Sequence, residues 1–400
     1  MKLVLTGASG FVGRQLIKRL TEAGHQVLAI GRKAPARGSE NTKVQWATYE
    51  DLPASAGGYD RVLHLAAVNT TSDESRETFF KVNAELPVKL AEEAKAAGVP
   101  LFVNFSSFHG LEGGPDTAYA ASKRAGAEAL AARDGIKVCN LYLPAVYGDA
   151  YAGKLAVLNR VPAFLGPLFF KVLSALAPTV HIGRIADFVA QDVQNLPVDE
   201  PVLLADDQDK NGLYRFGRKL IDVGFALAVI LVFWWLLLIV WVLVKTGSDG
   251  PGIFAQERVG KGGKVFTCYK FRTMGKDTRQ AGTHEISESA VTPIGAFLRK
   301  TKIDELPQVW NILKGELSLV GPRPCLPVQE ELVEERKKRG VLDVLPGITG
   351  FAQIQGIDMS HPVRLARKDA EYIARRGLLF DLKIILGTFI GKGQGDRTAK

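Results

Sequence analysis

The residues best suited to chemistry lie in the second half of the chain, around two adjacent carboxylates. Asp304 and Glu305 follow a basic cluster that contains Arg299, and an apolar helical segment comes after them. A carboxylate can attack a phosphorus atom, and a second one can hold Mg²⁺, which takes oxygen ligands and bridges to phosphates. Adjacent acids are usually a solvated helix start, but these have apolar and basic neighbours. We therefore predict that Asp304 and Glu305 act on a phosphorylated ligand.

Cations near this pair in the sequence could neutralise such a ligand. Arg258, Lys270 and Arg272 belong to a glycine-containing stretch that ends at Met274, and Arg323 lies in a Gly-Pro-Arg-Pro loop. The prolines stiffen that loop and would aim Arg323 at a phosphate. Taken alone, the basic residues before Met274 are typical of a solvated surface. Beside the acidic pair they favour phosphate binding.

A second group of candidate residues lies in the first half. Tyr119 and Lys123 are four residues apart on a predicted helix, so they share one face. An ammonium there could lower the phenol pKa for proton exchange with a carbonyl or alcohol, and the hydroxyl of Ser107 could orient that group. A lone Tyr–Lys pair is usually an exposed helix face. Together with Ser107 and a glycine loop, the pair predicts oxidoreductase chemistry.

That glycine loop connects the first strand to the first helix. A short apolar strand at residues 3–5 runs into Gly7, Gly10 and Gly13, and an amphipathic helix extends to about residue 23. Glycines permit a tight turn and close approach to a pyrophosphate, which the helix N-terminus attracts. We predict that these glycines bind a dinucleotide.

Further strands are predicted at residues 26–30, 61–67 and 101–105, which completes the pattern of a parallel Rossmann-type sheet. Arg32 follows the second of the four strands, where a carboxylate usually binds the adenosine ribose. A base there favours a 2′-phosphate and hence NADP(H), with NAD(H) the alternative. A solvated charge pair is nearly as good an explanation of Arg32 and its neighbour Lys33.

Composition and charge divide the chain in two. The 400 residues, 46% hydrophobic and 23% charged, exclude a disordered chain and predict two domains. The three scattered cysteines argue against a disulfide scaffold or a cysteine metal cluster. Residues 1–210 hold 22 Lys/Arg against 23 Asp/Glu, whereas residues 211–400 hold 29 against 19. The second half should therefore face something anionic, such as nucleic acid, phosphate or a lipid surface.

One apolar run selects the lipid surface. Residues 221–244 contain a single charge, Asp222, and as one helix would measure about 36 Å, enough to cross a bilayer. Basic residues flank both ends: Arg215, Arg218 and Lys219 before the run, and Lys245 after it. Because positive charge marks the cytoplasmic side, we predict a re-entrant segment that enters and leaves on one face. A buried core helix is the alternative. A shorter apolar stretch, 161–177, is interpreted as a core helix rather than an interfacial segment.

The first half resembles the extended short-chain dehydrogenase/reductase family, of the sugar-nucleotide epimerase, dehydratase and reductase type. The matching motifs are ThrGlyAlaSerGlyPheValGly at 6–13, HisLeuAlaAla at 64–67, ValAsn at 82–83, SerSer at 106–107, TyrAlaAlaSerLys at 119–123 and LeuProAlaValTyrGly at 143–148. The resemblance implies that Tyr119 is the acid/base, Lys123 its activator and Ser107 the carbonyl orienter. This half is about a hundred residues short of a full member. It is either a working NADP-dependent 4-keto reductase or a remnant that binds nucleotide or pairs subunits.

The second half, residues 214–390, resembles the bacterial sugar transferases, the monotopic polyprenyl-phosphate phosphoglycosyl transferases. The matching motifs are GlnGluArgValGly at 256–260, TyrLysPheArgThrMet at 269–274, AspGluLeuProGln at 304–308, AsnIleLeuLysGlyGluLeuSerLeuValGlyProArgPro at 311–324 and ProGlyIleThrGlyPheAlaGlnIleGlnGly at 346–356. One departure is that the apolar run lacks the Ser-Pro pair with which members bend their re-entrant helix.

This second resemblance implies transfer of a phospho-sugar from a UDP-sugar to undecaprenyl phosphate, which releases UMP and begins glycoconjugate synthesis. Asp304 would be the nucleophile and would form an aspartyl-phosphosugar intermediate. Glu305 would hold Mg²⁺ with Asp304 or assist proton transfer, and Lys270 and Arg323 would clamp phosphates, with Arg299 a further candidate.

These expectations define the whole chain. The fold class is α/β: a Rossmann-type domain at 1–210, a re-entrant membrane helix at 211–247 and a mostly helical α+β catalytic domain at 248–400. Expected cofactors are Mg²⁺ and NADP(H) or NAD(H), and expected partners are undecaprenyl phosphate, a UDP-sugar and the lipid bilayer, with no nucleic acid. A homodimer remains open. The expected location is the bacterial inner membrane, with both domains on its cytoplasmic face.

Overall fold

The structure is a computed structural model that describes residues 1–33, 42–70, 72–192, 194, 196–198, 200–247, 250–275, 278 and 290–391. The chain divides into two compact units. The first unit comprises Met1–Lys171 and Pro178–Asp206, and the second comprises Val172–Ala177 and Asp207–Lys400. Each unit contains hydrophobic clusters built from its own residues.

Strands and helices follow one another along the first unit, and the helix at residues 166–176 crosses the division, since its residues from 172 onward belong to the second unit. They are β1 (Lys2–Thr6), α1 (Phe11–Glu22), β2 (Gln26–Gly31), β3 (Val44–Thr48), α2 (Leu52–Ser55), β4 (Arg61–His64), α3 (Arg76–Phe80), α4 (Leu86–Ala96), β5 (Leu101–Ser107), α5 (Ala118–Ala131), β6 (Lys137–Leu143), β7 (Ala145–Tyr147), α6 (Gly166–Leu176), β8 (Thr179–His181), α7 (Ile182–Val189) and β9 (Val202–Leu203). A π-helical turn, Lys81–Glu85, joins α3 to α4, and a 3₁₀ turn, Phe108–Gly110, follows β5.

The main sheet is parallel, with the strand order β3-β2-β1-β4-β5-β6-β9. Strands that alternate with helices pair in parallel because each crossover helix covers a face of the sheet. Both faces are accordingly buried, one in a cluster around Leu5 and Leu141 and the other in a cluster around Val62 and Phe102. The order reverses between β1 and β4, the place where dinucleotides bind in such sheets. The predicted Rossmann-type parallel sheet is confirmed.

The predicted strand at residues 61–67 is too long. β4 ends at His64, and the chain then passes over the glycine loop. A Cβ added to Gly7 would lie 2.7 Å from the backbone nitrogen of Ala66, so the small residues serve this close crossing rather than the sheet.

The helix α6 corrects the interpretation of residues 161–177 as a core segment. Leu168, Phe169 and Val172 are all exposed on it, and Phe164 before it is 81% exposed. These apolar side chains therefore do not form a core helix.

The second unit is mostly helical, with small sheets. Its elements are α8 (Gly212–Val232), α9 (Trp234–Gly247), β10 (Ile253–Val259), β11 (Val265–Phe271), α10 (Pro293–Thr301), α11 (Val309–Lys314), β12 (Ser318–Val320), α12 (Glu330–Lys338), β13 (Gly347–Thr349), α13 (Phe351–Ile354), α14 (Pro362–Arg375) and α15 (Leu378–Phe389). β10 and β11 form an antiparallel hairpin. β12 and β13 pair in parallel.

The apolar run at residues 221–244 is not one continuous helix. α8 and α9 meet at Phe233, where the backbone leaves helical geometry (φ −107°, ψ 15°), and the two helices are bent by 70°. The bend forms without the proline that usually breaks a helix. Among the described helices, no single one is long and apolar enough to cross a membrane, while this bent pair meets that test of length and composition.

Two charged residues on α8 face the protein. Asp222 accepts hydrogen bonds from Ser318 Oγ (2.9 Å) and from the Leu319 amide (2.7 Å), and Arg218 donates to Ser318 Oγ (3.0 Å) and to the Val320 carbonyl (2.6 Å). Both charges therefore fasten α8 to β12. The prediction that Arg218 belongs to a basic flank at the membrane surface is wrong, because its guanidinium is occupied by these bonds.

Candidate functional site

The predicted acidic pair lies on a tight turn in the second unit. α10 ends at Thr301, Lys302 adopts the left-handed conformation (φ 58°), and a 3₁₀ turn, Ile303–Gln308, carries the pair. Among the described residues other than glycine, Lys302 is the one with a positive φ. A residue other than glycine is strained there, and such strain concentrates at functional sites. The turn directs the two carboxylates toward β11.

Glu305 brings two predicted phosphate-binding residues together. Its Oε1 accepts from Lys270 Nζ at 3.3 Å and from Arg323 Nη2 at 2.7 Å. All three side chains are largely shielded from solvent, between 11% and 16% exposed. One carboxylate oxygen thus holds two cations side by side, an arrangement suited to receiving the oxygens of a phosphate.

Asp304 lies beside this cluster and is 8% exposed. The pKa of Asp304 is raised to about 6, mainly by burial and next by the charge of Glu305, against the opposing effects of Lys270, Arg323 and Arg299. The structure therefore brings all five predicted residues within electrostatic range of one another. A poorly solvated carboxylate among cations is suited to attack on phosphorus, since little water must be removed from it before it reacts.

Arg258 and Arg272 do not have the positions predicted for them. Arg258 is buried, and its Nη1 donates to the Pro324 carbonyl at 2.9 Å. Arg272 Nε donates to the Pro251 carbonyl at 3.0 Å. Each guanidinium thus bonds to the protein's own backbone. Arg258 in this way holds the loop that carries Arg323.

Arg336 also holds the loop that carries Arg323, and the sequence analysis did not identify this residue. Arg336 Nη1 donates to the backbone oxygen of Arg323 at 2.8 Å, while its Nη2 and Nε bond Asp369 Oδ2 at 2.7 and 3.0 Å. Arg336 and Asp369 are each 2% exposed. The sequence around Arg336 is rich in Glu, Lys and Arg, which is typical of a solvated helix, so no local signal separates this arginine from its neighbours.

The carboxylates of this site suit Mg²⁺ only if substrate phosphates supply further ligands to the ion. Among the described residues, no group of three or more His, Cys, Asp or Glu side chains is placed to hold a metal ion. Mg²⁺ is commonly held by one or two carboxylates together with substrate phosphates, and Asp304 with Glu305 supplies those two. The pair fits a metal that arrives with a phosphorylated substrate.

In the first unit, the glycine loop has the features of a phosphate cradle. Gly7 has a φ of 71°, and a Cβ on Gly13 would lie 2.4 Å from the Gly7 carbonyl, so larger residues are excluded from both positions. Gly10 caps α1 with no side-chain hydrogen bond to its first turn. The helix N-terminus can thus present amide donors to a pyrophosphate. Arg32, after β2, is exposed at the C-terminal end of the sheet.

Ser107, Tyr119 and Lys123 are brought together as predicted, but not with the predicted electrostatics. Ser107 ends β5 and lies close enough to the Tyr119 phenol on α5 to affect its pKa, while Lys123 Nζ donates to the Phe105 carbonyl at 3.1 Å. Burial raises the pKa of Tyr119, and Ser107 opposes that rise. A phenol pKa lowered by Lys123 is therefore not observed. Burial also lowers the pKa of Lys123 to about 8.

Comparisons with known proteins match each half of the chain to a family. Residues 3–167 match the model of the NAD dependent epimerase/dehydratase family, and residues 213–392 match that of the bacterial sugar transferase family. Both families were expected from the sequence motifs.

Curated relatives share the second half. The chain is 35% identical over 206 residues to the UDP-glucose:undecaprenyl-phosphate glucose-1-phosphate transferase of Xanthomonas campestris pv. campestris, a match that covers 48% of this chain and 41% of the relative. It is 35% identical over 191 residues to the exopolysaccharide production protein PSS of Rhizobium leguminosarum bv. phaseoli, covering 44% of this chain and 94% of that protein. The chain thus spans less than half of the first relative and nearly all of the second.

Among solved structures, the chain is similar to the UDP-N-acetylglucosamine 4-epimerase from Bacillus cereus, with 17% identity and a TM-score of 0.41 over 52% of this chain and 78% of that one. The family match at residues 213–392 and the near-complete coverage of shorter relatives show that the chain belongs to the bacterial sugar transferase family.

Proposed function

We propose that the protein transfers a sugar 1-phosphate from a UDP-sugar to undecaprenyl phosphate, which yields undecaprenyl-diphospho-sugar and UMP. The observation that carries this proposal is the cluster in which Glu305 holds Lys270 and Arg323 beside the buried Asp304. Transfer of a phosphoryl centre between two anions depends mainly on positioning and charge neutralisation, and this cluster supplies both.

The proposed reaction has two displacements at one phosphorus atom. A carboxylate oxygen of Asp304 forms a bond to the phosphorus that carries the sugar, and the bond from that phosphorus to the UMP oxygen breaks. An oxygen of undecaprenyl phosphate then attacks the same phosphorus and releases the Asp304 carboxylate. Lys270 and Arg323 would hold the phosphate oxygens through both steps, and Arg299 adds positive charge nearby.

A Mg²⁺ ion would be held by Asp304 and Glu305 together with substrate phosphates. Such an ion neutralises phosphate charge and helps to orient the reacting groups. Glu305 is also the counterion of Lys270 and Arg323.

The activity is tested by UMP release from UDP-sugars in the presence and absence of undecaprenyl phosphate. The intact chain should release UMP continuously only with the lipid phosphate, because without it the first displacement can release no more than one UMP per active site. Asp304→Asn should reduce the rate of continuous release by at least a thousandfold. Lys261→Gln, an exposed change on the turn between β10 and β11, is the matched control and should keep the wild-type rate. Near-normal turnover by Asp304→Asn would overturn the nucleophile assignment.

We further propose that the bent pair α8–α9 lies in the cytoplasmic leaflet of the inner membrane as a re-entrant segment. Its exposed apolar side chains, which support this proposal, include Leu227, Leu231, Trp234, Trp235, Leu238 and Trp241. A contiguous apolar surface of this kind is rarely left in water. Arg215 and Lys219 before the run are exposed and suit an anionic lipid surface.

Cysteine accessibility tests this topology. Single cysteines placed at Arg215 and at Lys245, in a chain whose three native cysteines are replaced by serine or alanine, should both react with a membrane-impermeant maleimide from the cytoplasmic side. Labelling from opposite sides would contradict the re-entrant arrangement and indicate a span.

A second candidate function concerns the first unit. The glycine loop and the proximity of Ser107 to Tyr119 favour an NADP-dependent reductase of a UDP-4-keto-sugar, with the family match over residues 3–167 in support. When bound, the nicotinamide would supply hydride. Tyr119 would donate a proton to the substrate oxygen, and Ser107 would orient it. NADPH oxidation with UDP-4-keto-sugars tests this function, with NADH as the comparison. No oxidation, combined with retained nucleotide binding, would favour a binding or subunit-pairing remnant.

A further inference from the structure

A buried asparagine of the second unit connects the strand that carries Lys270 to the helix that follows the acidic turn. Asn311 lies on α11 and is fully buried. Its Oδ1 accepts from the Tyr269 amide at 3.2 Å, and its Nδ2 donates to the Thr267 carbonyl at 2.7 Å and to Glu316 Oε2 at 2.7 Å. The oxygen and the nitrogen of this one side chain therefore both have partners.

These partners allow a single orientation of the Asn311 amide. A carboxamide has two N–H donors on its nitrogen and an acceptor oxygen. The Thr267 carbonyl and the Glu316 carboxylate accept, whereas the backbone amide of Tyr269 donates. The nitrogen must therefore face the first two groups and the oxygen the third. Glu316, which follows α11, thus orients the amide for its bonds to β11.

The two bonds to β11 take the place of a neighbouring strand. β11 belongs to a two-stranded sheet, so one of its edges carries no other strand within the described part of the chain. The Arg272 amide donates to the Gly252 carbonyl at 3.1 Å, on the β10 side. Backbone groups alternate between the two edges along a strand, so those of Thr267 and Tyr269 point away from β10. Asn311 bonds this edge at two points and thereby resists sliding of the strand.

Both members of the Lys270–Glu305 ion pair are in this way positioned by one helix. Lys270 follows Tyr269 directly on β11, and Glu305 lies on the 3₁₀ turn that runs directly into α11. Cys268 of β11 also packs in one hydrophobic cluster with Val309 of α11. The distance of 3.3 Å between Lys270 Nζ and Glu305 Oε1 therefore depends on the separation of β11 from α11.

We propose that Asn311 is a positioning residue for the phosphate clamp, the pair Lys270 and Arg323. A lysine is a point charge on a flexible stem, so the protein controls where it acts mainly by fixing the backbone from which it extends. Asn311 fixes that backbone for Lys270, with its amide oriented by Glu316. The proposal rests on the transferase function proposed above and goes beyond the residues assigned to it, since Asn311 acts through Lys270 and not on the substrate.

A double-mutant cycle in the full chain tests this role. With undecaprenyl phosphate, Mg²⁺ and the UDP-sugar that the wild-type chain turns over, Asn311→Ala should lower kcat/KM for UMP release by about a hundredfold. When Lys270→Ala is already present, the further loss should be less than about threefold, because the effect passes through Lys270. The exposed Asn159→Ala is the matched control and should keep the wild-type rate. An equal loss in the two backgrounds, or no loss in either, would overturn the proposal.

Two variants of Glu316 keep the test decisive if Asn311→Ala folds poorly. Glu316→Ala removes an acceptor that orients the amide and should lower kcat/KM by about tenfold. Glu316→Gln keeps an acceptor oxygen and should restore at least about half of the wild-type value. A loss in Glu316→Ala that glutamine does not restore would overturn the orienting role.

Amide hydrogen exchange measures the bond to β11 without turnover. In the full chain in detergent, the Tyr269 amide should exchange at least about tenfold faster in Asn311→Ala than in the wild type. The Leu319 amide, which donates to Asp222, is the control and should not change. Unchanged exchange at Tyr269 would overturn the proposal. If the wild type released no UMP while this difference in exchange was present, the transferase function would fail and the connection of Asn311 to β11 would stand.

Discussion

At the scale of single residues, the two carboxylates of the candidate transferase site have different environments. Glu305 is the counterion of Lys270 and Arg323, whereas Asp304 is buried beside them with a pKa raised to about 6. Burial contributes most to that rise and the neighbouring Glu305 charge comes next. Asp304, whose charge is the more costly to bury, is the proposed nucleophile. Glu305 is paired with Lys270 and Arg323, the proposed phosphate-binding residues.

The pH dependence of transfer should follow Asp304. Because a nucleophilic carboxylate must be ionised, UMP release should rise with pH through an inflection near 6. Glu305→Gln removes a negative charge that raises this pKa, so the inflection should move to lower pH in whatever activity remains. Rate profiles of the two proteins between pH 4.5 and 8 measure this shift. An identical inflection in both would show that another group controls the rate.

Asp304→Asn should make the protein more stable while it abolishes transfer. The folded-state pKa of Asp304 lies above its unfolded value, so the ionised form destabilises the fold, by nothing below about pH 4 and fully above about pH 6. At pH 7.5 the neutral side chain should raise the free energy of unfolding by on the order of 3 kcal/mol. Thermal unfolding at pH 7.5 and at pH 4 measures the difference, which should vanish at the lower pH. A destabilised variant at pH 7.5 would contradict this account.

At the scale of elements, the Arg323 loop is positioned by buried arginines that bond to backbone. Arg258 holds Pro324, and Arg336 holds Arg323 from the α12 side while it pairs with Asp369 on α14. Arg323 is thereby connected to α12 and α14, which follow it in the sequence. Because the loop is held at its backbone, the Arg323 side chain can bond Glu305 and, in the proposed function, a substrate phosphate.

Removing Asp369 should destabilise the unit and misplace the clamp. Asp369→Leu leaves Arg336 buried without its carboxylate, a change that typically costs about 3–5 kcal/mol. The double variant Asp369→Leu with Arg336→Met removes both charges and should recover most of the stability but not the rate of UMP release, since Arg323 loses its backbone support. Thermal unfolding and UMP release of the three proteins test this. Full activity in the double variant would show that Arg336 has no positioning role.

The helix α8 is likewise held in place by a buried charge, Asp222, that bonds to β12. Asp222→Ala removes the acceptor of Ser318 Oγ and of the Leu319 amide and leaves Arg218 with one fewer counter-charge, so a loss of about 3 kcal/mol is expected. The exposed Lys219→Ala, three residues earlier on α8, should change stability by less than about 0.5 kcal/mol. Unfolding of both variants in detergent compares them. Equal stabilities would mean that α8 is held by its apolar packing alone.

At the scale of the whole molecule, the chain consists of two compact units with their own cores. The net charge follows this division, with the excess of Lys and Arg in residues 211–400. Some of these cations fasten loops of the second unit, as Arg258 and Arg336 do. In the proposed function, others would bind phosphate or face an anionic lipid surface, which would explain the charge without nucleic acid.

Each proposed activity should survive loss of the other. Tyr119→Phe should abolish NADPH oxidation and leave UMP release unchanged, while Asp304→Asn should do the reverse, because each site is built from residues of one unit. Both assays on both variants test this independence. A large loss of UMP release in Tyr119→Phe would show that the two units are coupled.

Much of this could be predicted because the signals are local. The glycine spacing, the alternation of strands with helices and the AspGlu and ArgPro motifs each reflect a short-range requirement, such as a turn, a covered strand or an anion site. The Rossmann-type sheet and the grouping of Lys270, Glu305 and Arg323 follow from such patterns. The membership of the bacterial sugar transferase family and the match of residues 3–167 to the epimerase/dehydratase model follow from the same residues.

Only the tertiary structure determined which groups the charged and apolar side chains contact. Arg258, Arg336 and Arg218 look like surface cations in the sequence, yet each bonds to backbone carbonyls brought near by the fold. The bend at Phe233 could not be predicted because the sequence has no proline there. The exposure of the α6 side chains depends on which residues pack against that helix. A sequence records which groups need partners, but the identity of a partner distant along the chain is determined only when packing brings the two together.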